Sequence, residues 1–390
     1  MTLPPAFQSL PDDPPPSAAS PPAVDPPSAV DASPAPRPAA PGRSGPSVHP
    51  DTQIVEAGLG VLGPPESGKT TLLATLPIAA EQYAPGWMFF GANDEAQDFL
   101  QENLRRLRAS RTLPAATVRL NPEMRFVLRG VRKARRRGPF ARTRRVQTAV
   151  YLDVLDAPGG LYAWPGPSGR SDVGSGATPS SPASGGEESD RDRLTRHVAD
   201  SSGLILLVDP VLVDSPNYDA YDYIKSIVLD IARRSALSSA DEFLPHYLAV
   251  CMTKCDHTAV YEKAREFGLA TDDNGPGAFP TVSDQRAREF FDELCGSSWE
   301  GAPRGRAIEL RDAIRSHFSP RRTRYFLTSS LGFGQHPETG VFDPDDPANP
   351  TYETGANDGS ERPWVSGLIR PVNVIEPVLW LAATQLRNGS

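Results

Sequence analysis

The residues Gly63-Pro64-Pro65-Glu66-Ser67-Gly68-Lys69-Thr70 place a glycine at each end of a short turn and follow it with a lysine and a hydroxyl. The spacing G-x-x-x-x-G-K-[ST] suits a polyphosphate. Glycines let successive backbone N–H groups curl around an anion, and the helix that starts here adds partial positive charge. The Lys69 ammonium reaches the outer phosphates, and the Thr70 hydroxyl coordinates Mg²⁺. The apolar run Ile54–Leu62 reads as the strand feeding the turn, and Lys69–Leu76 as the helix leaving it. Gly63 through Thr71 are therefore the expected contacts to a nucleoside triphosphate.

Three later clusters occur in order, each at the end of an apolar run. Asp156-Ala157-Pro158-Gly159 follows Tyr151–Leu155. A carboxylate there can hold Mg²⁺ through a water, and Gly159 can offer a backbone N–H to a γ-phosphate. Thr253-Lys254-Cys255-Asp256 closes the run ending at Met252. The Asp256 carboxylate can accept both N1–H and N2–H of guanine, which adenine cannot supply, while the Lys254 stem lies over the base. Thr328-Ser329-Ser330-Leu331 closes the last run, where the backbone amides of Ser329, Ser330 and Leu331 can meet the guanine O6.

As a set, these motifs resemble the P-loop GTPases of the Ras-like, translation-factor-related class, over residues 51 to about 331. The resemblance implies Mg²⁺–GTP as ligand, hydrolysis to GDP and phosphate, and a switch threonine before an antiparallel strand pair. Thr117 fits that position best, with Thr112 and Thr143 as competitors. Lys69, Thr117 and Gly159 are then the catalytic group, and Thr70, Thr117 and Asp156 the metal shell. Many relatives carry a glutamine after the D-x-x-G glycine to orient the attacking water. Here that residue is Gly160, so hydrolysis is expected to be slow without a partner. A further departure is the stiff, acidic Pro64-Pro65-Glu66, with Glu66 expected to face solvent. A weaker resemblance, resting on general layout, is to GTPases of bacterial multi-gene conflict or signalling systems, which implies an effector or activating protein and a second GTPase as candidate partners. Two rivals stay open: a scaffold that holds nucleotide without turnover, and an ATP-dependent P-loop enzyme.

The elements that must position these residues follow from periodicity. Six apolar runs read as strands: Ile54–Leu62, Arg125–Arg129, Gln147–Leu155, Leu204–Val208, Tyr247–Met252 and Tyr325–Leu327. Helical patterns alternate with them at Lys69–Leu76, Ala96–Ala109, Tyr221–Arg234, Asp284–Leu294, Arg306–Phe318 and Val374–Leu386. This alternation predicts an α/β fold in three layers, the P-loop NTPase type. Its sheet is mostly parallel, with one antiparallel edge strand and helices on both faces. Residues 1–50 hold 16 of the 42 prolines and few large apolar side chains, which predicts a disordered Pro/Ala/Ser-rich tail. The domain at 51–390 carries two expected flexible insertions, at about 159–192 (rich in Gly, Ser and Pro) and about 332–366 (rich in Pro, Asp, Asn and Gly).

A net charge of −8 argues against a general nucleic-acid binder. The three cysteines have no metal-ligand spacing and read as reduced, the opening residues lack a secretory pattern, and no apolar stretch is long enough to span a bilayer, so a cytoplasmic protein is expected. Against this acidic background, Arg129, Arg132, Lys133, Arg135, Arg136, Arg137, Arg142, Arg144 and Arg145 crowd one hairpin. A solvated tip and a docking patch for an anionic partner are the two readings. The turn precedes the strand ending at Leu155, so it is expected at the end of the sheet away from the nucleotide.

Overall fold

A short strand with no polar side chain must be covered on both faces, and two runs here meet that condition. Gly203–Val208 is buried at every residue and Tyr247–Met252 at all but the first. Their neighbours follow from the need to pair every buried backbone group. The computed structural model describes residues 52–83, 86–115, 117, 123–135, 143–155, 189–213, 220–235, 243–271, 279–296, 305–336, 338–354 and 361–388. The tail at 1–50 and residues 156–188 of the first insertion lie outside them.

The elements run β1 (Thr52–Leu62), α1 (Lys69–Tyr83), β2 (Met88–Gly91), α2 (Asp94–Arg105), β3 (Met124–Arg135), β4 (Thr143–Val154), α3 (Asp190–Asp200), β5 (Gly203–Val208), α4 (Ala220–Ser235), β6 (Tyr247–Met252), α5 (Thr258–Glu266), β7 (Ala270–Thr271), β8 (Thr281–Val282), α6 (Ala287–Gly296), α7 (Gly305–His317), β9 (Thr323–Leu327), β10 (Pro350–Thr354), β11 (Glu361–Val365) and α8 (Ile375–Asn388). Seven strands form one sheet in the order β2-β3-β4-β1-β5-β6-β9. β4, β1, β5, β6 and β9 are parallel, and the antiparallel part lies at one edge, where β3 runs against both β4 and β2. This is the expected α/β architecture.

Strand alternation sorts the core into two layers. Leu204, Leu206 and Val208 of β5 face α3, α4, α5, α6 and α7, while Ile205 and Leu207 face α1 and α8. Phe126 and Leu128 of β3 and Val150 and Leu152 of β4 continue the second layer under α1 and α2. No helix of the described residues is long and apolar enough to cross a membrane.

The chain departs from the periodicity reading in several places. Helix α1 continues through Pro77 to Tyr83, because Ile78, Ala79 and Ala80 are buried and their packing outweighs the missing hydrogen bond. Helix α2 ends at Arg105 and is followed by a π-helical turn, Arg106–Ser110. The periodicity reading omits α3, α5 and the short strands β2, β7, β8, β10 and β11. The largest correction concerns the second insertion. Residues 332–336, 338–354 and 361–366 are not a loose excursion. Phe333 and Phe342 are buried against Tyr261 of α5, with ring centroids 5.3 and 5.6 Å away, and β10 pairs with β11. Two aromatic anchors outweigh a composition that reads as loop.

Two glycines in this region test the backbone. Gly332 has φ of 77°, and a Cβ there would overlap the Arg370 carbonyl oxygen; Gly340 has φ of 67° with open space around it. Gly332→Ala is expected to cost more than about 2 kcal/mol and Gly340→Ala about 1 kcal/mol. The measurement is the shift of the chemical denaturation midpoint at constant slope.

Candidate functional site

Register brings the carboxyl ends of four strands together. Leu62 of β1 lies beside Leu206 of β5, Val208 of β5 beside Met252 of β6, and Met252 beside Leu327 of β9. Each strand delivers its next residues to one edge: Gly63 after β1, Asp209 after β5, Thr253 after β6 and Thr328 after β9. The crevice outside the carboxyl ends of such strands is where ligands bind in open α/β sheets.

The Gly63–Thr70 loop curls over the start of α1. Gly68 has φ of 91° and Glu66 of 63°. The first suits glycine, while the second places a larger residue where L side chains are strained. Pro64 and Pro65 bring no N–H, so the donors available to an anion begin at Glu66. The Glu66 side chain is exposed. Lys69 is only 7% exposed, and its ammonium donates to the carbonyls of Gly63 at 2.7 Å and Pro64 at 2.9 Å. The loop thus holds its own cation beneath it. Ser67 Oγ is buried in the loop with no hydrogen-bond partner among the described residues. The first amide of the loop is held as well: Gly63 N–H donates to the hydroxyl of Tyr223, a buried residue of α4, at 3.1 Å.

Thr70 Oγ1 and Thr117 Oγ1 are 2.8 Å apart, though 47 residues separate them in sequence. Octahedral Mg²⁺ with oxygens at ~2.1 Å sets neighbouring ligands about 3 Å apart, so this hydroxyl pair fits two adjacent positions of one shell. Of the three candidate threonines, only Thr117 lies beside Thr70. Thr112 forms a β-bridge with Trp364, and Thr143 begins β4 at the far end of the sheet. The segment leading to Thr117 is fastened at its start, since Val365 N–H donates to the Arg111 carbonyl at 2.9 Å and Arg111 Nη1 to the Ser366 carbonyl at 3.2 Å. Asp156, Gly159 and Gly160 lie outside the described residues. Thr71 is half-buried in the first turn of α1.

The second half of the site lies beyond β6. Thr253 N–H and Oγ1 both donate to the Val208 carbonyl, at 2.9 and 3.2 Å, locking the start of the tetrad to β5. Lys254 takes a φ of 57°, and its ammonium pairs at 2.5 Å with Asp209, which is fully buried. This ion pair stretches the Lys254 stem across the end of the sheet. Asp256 is 4% exposed, and burial pushes its carboxyl above the ordinary carboxylate range, opposed by hydrogen bonds from the Ser329 side chain and from backbone amides of Asp256 and Asn349.

The Ser329-Ser330-Leu331 turn works differently from the sequence expectation. Ser329 N–H donates to the Val372 carbonyl at 3.1 Å, so it is unavailable to a base oxygen, and its hydroxyl faces Asp256 instead. Ser330 and Leu331 keep the amides for that role. Sequence reasoning missed Tyr223, Asp209 and Asn349. Asp209 had a signal, a carboxylate at the end of a buried strand like Asp156. Tyr223 and Asn349 had none, because each acts across more than 90 residues of chain.

The basic hairpin is placed by its backbone. Arg135 pairs with Thr143, and Gln147 with Thr52 at the start of β1, so the turn points away from the phosphate loop. The side chains of 132–146 lie outside the described residues. Arg129 is exposed and donates to Gln147 Oε1 at 3.5 Å.

No protein-family model matches the chain, and no curated protein matches it either. Among solved structures it is similar to sup35 complexed with GDP and to sup35 complexed with GMPPNP, each at 11% identity and a TM-score of 0.27 over 71% of this chain and 38% of the other. It is also similar to a bacterial selenocysteine-specific elongation factor, EF-Sec, at 14% identity and a TM-score of 0.26 over 70% of this chain and 26% of the other. The chain thus spans well under half the length of each.

Tyr223→Phe removes the acceptor of the Gly63 amide and leaves a buried donor unpaired. Nucleotide affinity is expected to fall by about 1–3 kcal/mol, read by isothermal titration. Asp256 must be ionised to accept two N–H groups, and its pKa is raised by burial. Guanine-nucleotide affinity is therefore expected to depend on pH. It should be lost on acidification at a higher pH than an ordinary carboxylate would give, and in Asp256→Asn this step should vanish.

Proposed function

We propose that the chain binds Mg²⁺–GTP and hydrolyses it slowly to GDP and phosphate, as a nucleotide-dependent switch whose turnover is completed by a partner. The observation that carries this reading is the Thr70–Thr117 hydroxyl pair, 2.8 Å apart at the mouth of a loop that buries Lys69. Two distant hydroxyls converging beside a caged ammonium is what a magnesium–triphosphate site requires. Guanine is the preferred base because the buried Asp256 carboxylate stands across the sheet edge from that loop, held by Ser329 and Asn349.

Lys69 would exchange its bonds to the Gly63 and Pro64 carbonyls for the outer phosphate oxygens. Thr70 and Thr117 would hold Mg²⁺, with Asp156 behind a water. The metal, when bound, neutralises charge on the phosphates as the terminal phosphoryl group leaves. Thr117 would add its bond to the metal beside the γ-phosphate, and loss of that bond on hydrolysis would loosen the segment that begins at the Arg111 anchor. Gly159 would offer its amide to the γ-phosphate, and Gly160 has no side chain to aim a water. An activating protein or a second GTPase would supply that group in a bacterial cytoplasmic signalling or conflict system. The insertion at about 159–192 would serve as a partner-dependent element, and the Arg129–Arg145 hairpin would dock an anionic surface. The absent side chain at Gly160 also favours a second reading, a scaffold that binds GTP without turnover.

Asp256→Asn inverts the hydrogen-bond pattern at the base edge. It is expected to weaken GTP binding by more than tenfold, on the order of 2 kcal/mol, and to strengthen xanthosine triphosphate binding. Competition titration against labelled GTP checks this, and displacement by equimolar ATP would overturn the base assignment. Single-turnover measurements with and without cell extract separate switch from scaffold, since the scaffold hydrolyses in neither.

A further inference from the structure

The Thr253–Asp256 tetrad contains a lysine that is fixed at both ends. Its backbone is clamped, since Cys255 N–H donates to the Thr328 carbonyl at 3.0 Å and His257 N–H to the Lys254 carbonyl at 2.9 Å. Between those bonds Lys254 keeps a φ of 57°, in the left-handed region that L side chains rarely adopt. At the far end of the side chain, its ammonium lies 2.5 Å from an oxygen of Asp209.

Asp209 belongs to none of the nucleotide motifs. It follows directly on β5 and has no exposed surface. Its other oxygen accepts from Val211 N–H at 2.9 Å, across a turn that includes Pro210, whose ring fixes φ. The anchor is thus rigid in itself. The Lys254 side chain is nevertheless 43% exposed. With its head against a carboxylate that water does not reach, its methylenes form a stretched apolar ledge along the edge that also carries Gly63. The ion pair is not needed to join β5 to β6, which the strand ladder and the Thr253–Val208 bond already secure. What it fixes is one side chain. A free lysine stem gives up rotamers when a ring settles on it, and an anchored stem has few left to lose.

We propose that Asp209 is a positioning residue for the base: it pins Lys254 in advance, so that the face of a purine ring rests on a prepared apolar surface. This rests on the reading of Thr253–Asp256 as the base site. The two carboxylates then act on different parts of the ring. Asp256 meets its edge and sets which purine is preferred, while Asp209 acts on its face through Lys254 and strengthens every purine alike. Phosphates held by the Gly63–Thr70 loop do not sense it.

The test measures the affinities of GDP, inosine diphosphate and pyrophosphate for the full chain at saturating Mg²⁺, the last by displacement of labelled GDP. Asp209→Asn keeps the volume and the acceptor for Val211 but removes the charge that holds Lys254. It is expected to weaken GDP and inosine diphosphate by the same factor, about tenfold, and to leave pyrophosphate unchanged. Equal weakening of all three ligands, as a general loosening of the fold gives, would overturn the proposal. So would a changed preference between the two purines, or no change at all. In a Lys254→Ala background, Asp209→Asn is expected to have no further effect, and an added loss of GDP affinity overturns the proposal by showing another route. If Asp209→Asn does not fold, Lys254→Arg keeps the buried charge paired but replaces the stem. It is expected to weaken GDP with pyrophosphate unchanged, and an unaltered GDP affinity again overturns the proposal. Asp256→Asn in the same titration separates the two levels. A switch toward xanthosine diphosphate with no effect at position 209 sinks this inference alone, while no switch at all sinks the base reading and this inference with it.

Discussion

Two central parallel strands shielded on both faces, β5 and β6, set the geometry of everything else. The backbone groups of β5 and β6 have only each other and their neighbours β1 and β9 to bond, so the ladder admits one register. Sliding one strand by a residue would turn Leu204, Leu206 and Val208 from one layer of helices to the other. The same register brings Gly63, Asp209, Thr253 and Thr328 to one edge. The site is a by-product of core burial, which is why residues as far apart in sequence as Gly63 and Thr328 converge without being linked locally.

At that edge the chain accumulates groups that are costly to bury. Lys69, Asp209 and Asp256 are all shielded from water, and each is compensated in a different way. Lys69 rests on two loop carbonyls, Asp209 meets Lys254, and Asp256 takes hydrogen bonds from Ser329 and the amide of Asn349. Burial still wins at Asp256, where the carboxyl stays above its ordinary range. A guanine edge would bring two further donors and relieve that residual cost. Preorganisation here means charges already desolvated and aimed, so that a ligand completes the shell and does not have to build it.

The hairpin at 332–366 serves both halves of the site. Through Val365 and Ser366 it holds Arg111, at the start of the Thr117 segment, and through Asn349 it holds the Leu331 carbonyl at the end of the Ser329–Leu331 turn. A Pro-, Asp- and Asn-rich stretch could join this framework because two phenylalanines anchor it to α5, and because Asn349 bonds main chain on two separate segments.

The sequence alone determined the kind of fold and marked the residues on which the proposed chemistry rests. A phosphate loop is a local device, with its glycines, lysine and hydroxyl consecutive in the chain, so spacing reveals it. Strand period and strand length revealed the six main strands for the same reason. The tertiary structure alone decided how that chemistry is assembled. It brought Thr117, and neither Thr112 nor Thr143, beside Thr70, gave the Gly63 amide to Tyr223, tied the Ser329 amide to Val372, and carried α1 through Pro77. These outcomes depend on which distant groups share a buried space. The energy of a buried hydrogen bond or a packed ring is set by that shared space, and no window of neighbouring residues contains it.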